Sequence, residues 1–131
     1  MNKIFLDDER SPPDDTWLVF RTAPELIAHL VEVGGSGRTG WDGMTISLDH
    51  DLGVCKRCLA EYNGPGIPST CEHTGTGYDV VVFLEEFFHW AVNQGGFIPD
   101  MTLLVHSQNP VGRMRMMQGI NNIGRITNGI L

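Results

Sequence analysis

Lysine is nearly missing from this chain. Lys3 and Lys56 are the only two among 131 residues, and arginine raises the basic total to nine against sixteen acids. The net charge of −7 and pI of about 5.0 argue against broad capture of duplex nucleic acid, which needs Lys and Arg clustered on one face. A small phosphorylated ligand stays open, because two or three arginines and a metal ion can hold one. Also missing is any apolar run near the ~20 residues that cross a bilayer, so no membrane association is expected. Met1-Asn2-Lys3 passes directly into a strand pattern with no leader signature, and the expected compartment is the cytoplasm. Cysteine is scarce and odd in number. Cys55, Cys58 and Cys71 suit a disulfide framework poorly and a metal better. What remains, 41% hydrophobic and 19% charged, is the make-up of one globular domain, 1–131, too short for two cores.

Ile4-Phe5-Leu6 is wholly apolar and runs into Asp7-Asp8, the pattern of a central parallel strand. Arg10 and a Ser-Pro-Pro-Asp-Asp loop follow, then a second strand over 17–21. Thr22 and Glu25 have capping-box spacing, with Leu26, Ile27, Leu30, Val31 and Val33 at helical intervals until Gly34-Gly35. Residues 36–43 read as a Gly-rich loop. Met44 to Leu48 is a third strand, ending at Asp49-His50-Asp51. Tyr78 to Asn93 is the clearest helix, and His89, like His29 on the first, is expected to face solvent. Met101 to Val105 is a fourth strand ending at His106-Ser107. Asn109-Pro110 then opens a last helix, with Val111, Met114, Met117 and Ile120 or Ile123 expected inward. Alternating strands and helices predict an α/β fold with a mainly parallel sheet of about four strands, and such sheets bind ligands beyond the carboxyl ends of the strands.

Between the third strand and the long helix, residues 53–77 are rich in Gly, Pro, Cys and Thr and lack periodicity. A structureless loop of that size calls for an ordering agent. Cys55-x2-Cys58, twelve residues, then Cys71-x-His73 places four donors within nineteen residues. Thiolates and imidazole suit tetrahedral Zn²⁺, and four protein ligands make a closed, structural site. A redox role for CxxC is disfavoured because no helix is expected after it.

Asp49 and Asp51 share a face if the third strand persists through them, and Asp7 and Asp8 end its neighbour. Carboxylates gathered this way repel one another unless a divalent cation such as Mg²⁺ or Mn²⁺ neutralises them. The bland alternative is that they cap helices or solvate loops. His50 and His106 are candidates to move protons near neutral pH. Arg10, Ser107, Asn109 and Arg113 are candidates to bind an anion, although Asn109 also reads as an N-cap and Ser107 as a turn residue. Either arginine could instead pair with the aspartates.

Leu6-Asp7-Asp8-Glu9-Arg10, Ser47-Leu48-Asp49-His50-Asp51-Leu52-Gly53, Thr76-Gly77-Tyr78-Asp79 and His106-Ser107-Gln108-Asn109-Pro110-Val111-Gly112 together resemble the cyclic-phosphate-processing receiver-like family, related to two-component receivers. The resemblance implies a shortened receiver-like (flavodoxin-like) three-layer fold with a zinc-binding insertion, and a role in handling cyclic phosphates on nucleotides or RNA ends. Ordinary receivers would add a Lys ending a fifth strand. No lysine follows Lys56, which argues against a phosphorelay. The expected activity is that of a metal-assisted phosphoesterase, with Asp49, His50 and His106 catalytic and a small phosphorylated ligand or RNA end as partner. The rival readings are a non-catalytic nucleotide or phosphate sensor and a zinc-ordered protein-interaction module.

Overall fold

The computed structural model describes residues 2–66, 68 and 70–127. Residues 1, 67, 69 and 128–131 of the expected domain lie outside the described residues. Strands β1 (Lys3–Leu6), β2 (Leu18–Phe20), β3 (Thr45–Leu48) and β4 (Thr102–Val105) form one parallel sheet in the order β2-β1-β3-β4. Ile4 pairs with Leu18 and Ile46, and Ile46 with Leu103, so the apolar residues of neighbouring strands stack in rows. Among the described residues no fifth strand follows.

Helix α1 (Ala23–Gly34) joins β2 to β3, and α3 (Gly77–Gln94) joins β3 to β4. Helix α4 (Pro110–Thr127) packs against α3, which also meets α1. These helices cover one face of the sheet, where Ile4, Leu6, Ile46 and Leu48 are almost fully buried with Leu26, Leu30, Val80, Leu84 and Met116. Each such side chain contributes roughly 1.5–3 kcal/mol by leaving water. No helix joins β1 to β2, so the opposite face is covered differently. There Phe5 packs edge-on against Trp17 from the connecting segment, and the His106 ring stacks on it. Trp17 of that segment thus covers Phe5 in place of a helix, while Leu104 on the same face stays 46% exposed.

The cap read at Thr22 forms, its side chain accepting from the Glu25 amide, and Thr76 with Asp79 adds a capping box that starts α3 one residue before the expected Tyr78. Four expectations need correction. Residues 36–43 are not a plain loop: a 3-10 helix spans Ser36–Trp41, and fully buried Trp41 donates from Nε1 to the Leu30 carbonyl at 2.8 Å. Segment 53–77 holds a short helix α2 (Lys56–Glu61), nucleated because the Cys55 thiol accepts from the Cys58 amide. On α4 the inward stripe is Gly112, Met116, Ile123 and Ile126, while Val111 and Met114 are 69% and 63% exposed and Met117 is exposed as well. The cause lies at the first turn of α4, where Gly112 is pressed onto the His50 ring and sets the rotation of the helix. His29 is half-buried against Phe20 rather than solvated, with ring centroids 4.9 Å apart.

Candidate functional site

The strand ladders continue one residue past the strands and deliver the site. Asp7 donates its amide to Phe20, Asp49 to Leu6 and His106 to Leu48, each at 2.9–3.1 Å. Because side chains alternate, these three residues point to the face that lacks a helix. Carboxylate oxygens of Asp7, Asp8 and Asp49 lie within 4.8 Å of one another, with Asp7 and Asp49 buried. Burial, and after it the charge of Asp7, pushes the Asp49 carboxyl above its ordinary range. Burial also raises Asp8, helped by Glu9 and Asp7. Asp7 goes the other way: burial alone would raise it, but the amides of Arg10 and Glu9 and the imidazole of His106 together hold it down. Crowded, partly desolvated oxygens with unbalanced charge are the donor set that a hard divalent cation fits.

Asp51 does not join that group. Strand β3 ends at Leu48, so the alternation that would align Asp51 with Asp49 stops before it. Its carboxylate instead accepts from His50 Nδ1 at 2.8 Å and from Asn109 Nδ2 at 3.3 Å. It still lines the same open cleft of about 490 Å³, together with Asp7, Asp8, Asp49, Arg10 and Asn109.

Neither histidine ring lines this cleft; each stands behind a carboxylate. His106 Nε2 is 3.0 Å from Asp7 Oδ2 and Nδ1 is 2.7 Å from Ser47 Oγ. With Asp7 ionised, Nε2 carries the proton and Nδ1 accepts from the Ser47 hydroxyl, a tautomer assigned from its partners. His50 is bonded to Asp51, and its ring lies where a Cβ on Gly112 would come within 2.4 Å.

Arg10 lines the cleft, its Nη1 donating to the His106 carbonyl at 2.9 Å and its Nε 3.8 Å from Asp7. Asn109 caps α4 by accepting from the Gly112 amide while its own amide group holds Asp51. Buried Ser107 shapes that entry, its hydroxyl accepting from the Asn109 amide. Arg113 is not brought to the cleft: it lies one turn further on and donates to the Val105 carbonyl at 3.3 Å. Two participants escaped the sequence reading. Ser47 was detectable as the residue two before Asp49 on the same face of β3. Arg21, which clamps the Asp7 and Arg10 carbonyls, left no such signal.

The second cluster lies in segment 53–77. Donor atoms of Cys55, Cys58, Cys71 and His73 lie within 4.8 Å of one another, with Cys58 Sγ 3.1 Å from His73 Nδ1. The Cys55 amide, followed by the Thr74 hydroxyl, lowers the Cys71 thiol to about 5, while hydrogen bonding to Cys55 first and burial second pushes Cys58 up to about 12. A helix does begin at CxxC, capped by Cys55, so that ground for setting aside a redox pair falls. The convergence of a third sulfur and an imidazole is what favours a metal, and the four donors could hold a tetrahedral ion. Thr74 ties this cluster to the acidic cleft by donating to the Gly53 carbonyl at 2.7 Å, and a Cβ on Gly53 would lie 2.9 Å from Asp8.

No helix among the described residues is long and apolar enough to cross a membrane. In comparisons with known proteins, the sequence profile of the cyclic-phosphate processing receiver domain matches residues 2–122. No curated protein and no solved structure gives a significant match.

Proposed function

We propose that this chain, which belongs to the cyclic-phosphate processing receiver domain family, is a metal-assisted phosphoesterase acting on a cyclic phosphate of a nucleotide or RNA end. The observation that carries the reading is the meeting of Asp7, Asp8 and Asp49 in a cleft that Arg10 and Asn109 also line. Mg²⁺ or Mn²⁺ held by those three carboxylates would supply Lewis-acid polarisation of a phosphoryl oxygen. Arg10 orients the phosphate. His106 and Ser47 fix the rotamer of Asp7, a duty of the kind that usually falls to residues behind a metal ligand. Proton movement belongs to the Asp51–His50 pair, because Asp51 reaches the cleft while His50 steadies its charge. Zn²⁺ on Cys55, Cys58, Cys71 and His73 has a structural role, folding segment 53–77 back so that Thr74 holds the Gly53 carbonyl beside the acidic cleft.

One observation favours a non-catalytic phosphate sensor instead: both ring nitrogens of His106 are already engaged within the protein. The experiment is incubation with 2′,3′- and 3′,5′-cyclic nucleotides and an oligonucleotide ending in a cyclic phosphate, with Mg²⁺ or Mn²⁺, followed by ³¹P NMR. Conversion of a cyclic phosphate to a monoester supports the esterase. Tight binding with every substrate left intact decides for the sensor.

A further inference from the structure

Among the described residues, the buried polar side chains are Asp7, Ser47, Asp49, Thr74 and Ser107. Four of them belong to the acidic cleft or its supports. Thr74 stands outside it, beside His73 in the return arm of segment 53–77. A buried hydroxyl is costly unless it is bonded, so its partners disclose its use. Thr74 Oγ1 accepts from the Cys71 amide at 3.3 Å and lies 3.5 Å from Cys71 Sγ. Its single proton has the Gly53 carbonyl as nearest acceptor, at 2.7 Å, ahead of the Cys71 carbonyl at 3.2 Å. The Thr74 carbonyl accepts from the Ala23 amide at 2.8 Å, which anchors the residue to the start of α1. Cys71 Sγ also accepts from the Cys55 amide at 3.4 Å, so one sulfur restrains both ends of the stretch 53–55.

At Gly53 this restraint reaches the cleft. Gly53 lines it with φ at +71°, and a Cβ there would lie 2.9 Å from Asp8 Oδ2. Its backbone is the wall against which the Asp8 carboxylate rests. The other two carboxylates of the group are fixed by hydrogen bonds: Asp7 accepts from the Glu9 and Arg10 amides, and Asp49 from the His50 amide. Among the described residues, no other residue donates to Asp8, which leaves the Gly53 wall as its constraint.

We propose that zinc in the cluster of Cys55, Cys58, Cys71 and His73 raises the affinity of the acidic cleft for Mg²⁺ or Mn²⁺, with Thr74 as the positioning residue that joins the two sites. This rests on the metal-bound cleft of the phosphoesterase reading and adds its regulation. A filled cluster holds Cys71 in place, Thr74 then fixes Gly53, and Asp8 meets an incoming ion with less order left to impose. An empty cluster releases Cys71 and loosens the wall. Three thiols and an imidazole select zinc while carboxylates select hard ions, so the two sites fill separately. The cluster also stands at the surface, with His73 exposed and its three cysteines half-buried, so its occupancy can follow the zinc supply.

The test is Mn²⁺ titration of the full chain, followed by electron paramagnetic resonance, with one zinc per chain and again after zinc removal. Zinc-loaded protein should bind Mn²⁺ at least about fivefold more tightly, the lower end of typical coupling between sites. Reciprocity requires Mn²⁺ to tighten zinc binding by the same factor, read by competition with a zinc-selective chelator. Thr74→Val should still take up zinc, with the Mn²⁺ affinities of its two states drawn together. Thr74→Ser keeps the hydroxyl and should restore the wild-type ratio. A wild type that takes up no zinc, a Mn²⁺ affinity that ignores zinc, or a Thr74→Val variant with the full ratio would each overturn the proposal. The wild-type comparison decides the coupling even where Thr74→Val folds poorly. Zinc-dependent Mn²⁺ binding without turnover of any cyclic phosphate would uphold the coupling and sink the esterase; turnover with zinc-independent Mn²⁺ affinity would do the reverse. No Mn²⁺ binding in either zinc state would overturn both.

Discussion

His106 Nε2 lies 3.0 Å from Asp7 Oδ2, a contact across 99 residues that joins the ends of two strands which do not themselves pair. Strand β3 separates them, and its Ser47 holds the other side of the same ring. Phe5 supports the ring from below, with centroids 4.3 Å apart and planes 5° from parallel. His106 is therefore held on three sides, and its effect on chemistry passes through Asp7.

His106→Ala should leave Asp7 free to rotate and lower Mg²⁺ or Mn²⁺ affinity by about 10–100-fold, the usual cost of losing the group behind a metal ligand. Isothermal titration of both proteins checks it. Equal affinities would remove His106 from the support of the site.

Asp49→Asn should abolish the rise in melting temperature that Mg²⁺ or Mn²⁺ gives the wild type, since that rise comes from native-state binding. Without metal the variant should be the more stable protein at pH 7. The sign follows from the raised Asp49 carboxyl: its folded state disfavours the charge, so stability present below the ordinary value of 3.8 is lost as pH rises through the higher folded value. The advantage of Asn should therefore fade as pH falls toward about 4. Thermal melts of both proteins from pH 4 to 8 measure it.

Purified protein prepared without chelator should carry one zinc per chain by elemental analysis. Cys58→Ser should lose it and expose segment 53–77 to protease while the sheet stays folded, because the core residues lie elsewhere. Loss of zinc should also speed hydrogen exchange at the Gly75 amide, which donates to the Cys71 carbonyl.

Gly77→Ala should be strongly destabilising, by roughly 3 kcal/mol or more, since its Cβ would fall 2.1 Å from the Asp49 carbonyl oxygen and backbone cannot step aside. Gly124→Ala is the control. Nothing lies within 4 Å of a Cβ there, and helix propensity should stabilise it by up to about 1 kcal/mol. Denaturant midpoints for the two variants should move in opposite directions.

Much of this protein was determined by local pattern. Strand limits near Ile4–Leu6 and Met44–Leu48, the Thr22 and Thr76 starts of α1 and α3, and the parallel sheet follow from short-range chemistry: apolar runs, capping side chains and terminal glycines. The spacing of Cys55, Cys58, Cys71 and His73 likewise pointed to one cluster, because few arrangements of so short a loop keep those donors apart. Packing decided the rest. Which face of α4 turns inward depends on Gly112 meeting His50, a contact across some sixty residues that no helical period records. Asp51 parts from Asp49 because β3 ends one residue before Asp49, a boundary set by pairing with β1 and β4. Histidines expected in the cleft stand behind carboxylates, since the choice between facing a ligand and steadying a neighbour rests on tertiary distances. Residue type and position in the strand decide what a side chain can do; only its neighbours, brought from the far end of the chain, decide which of those things it does.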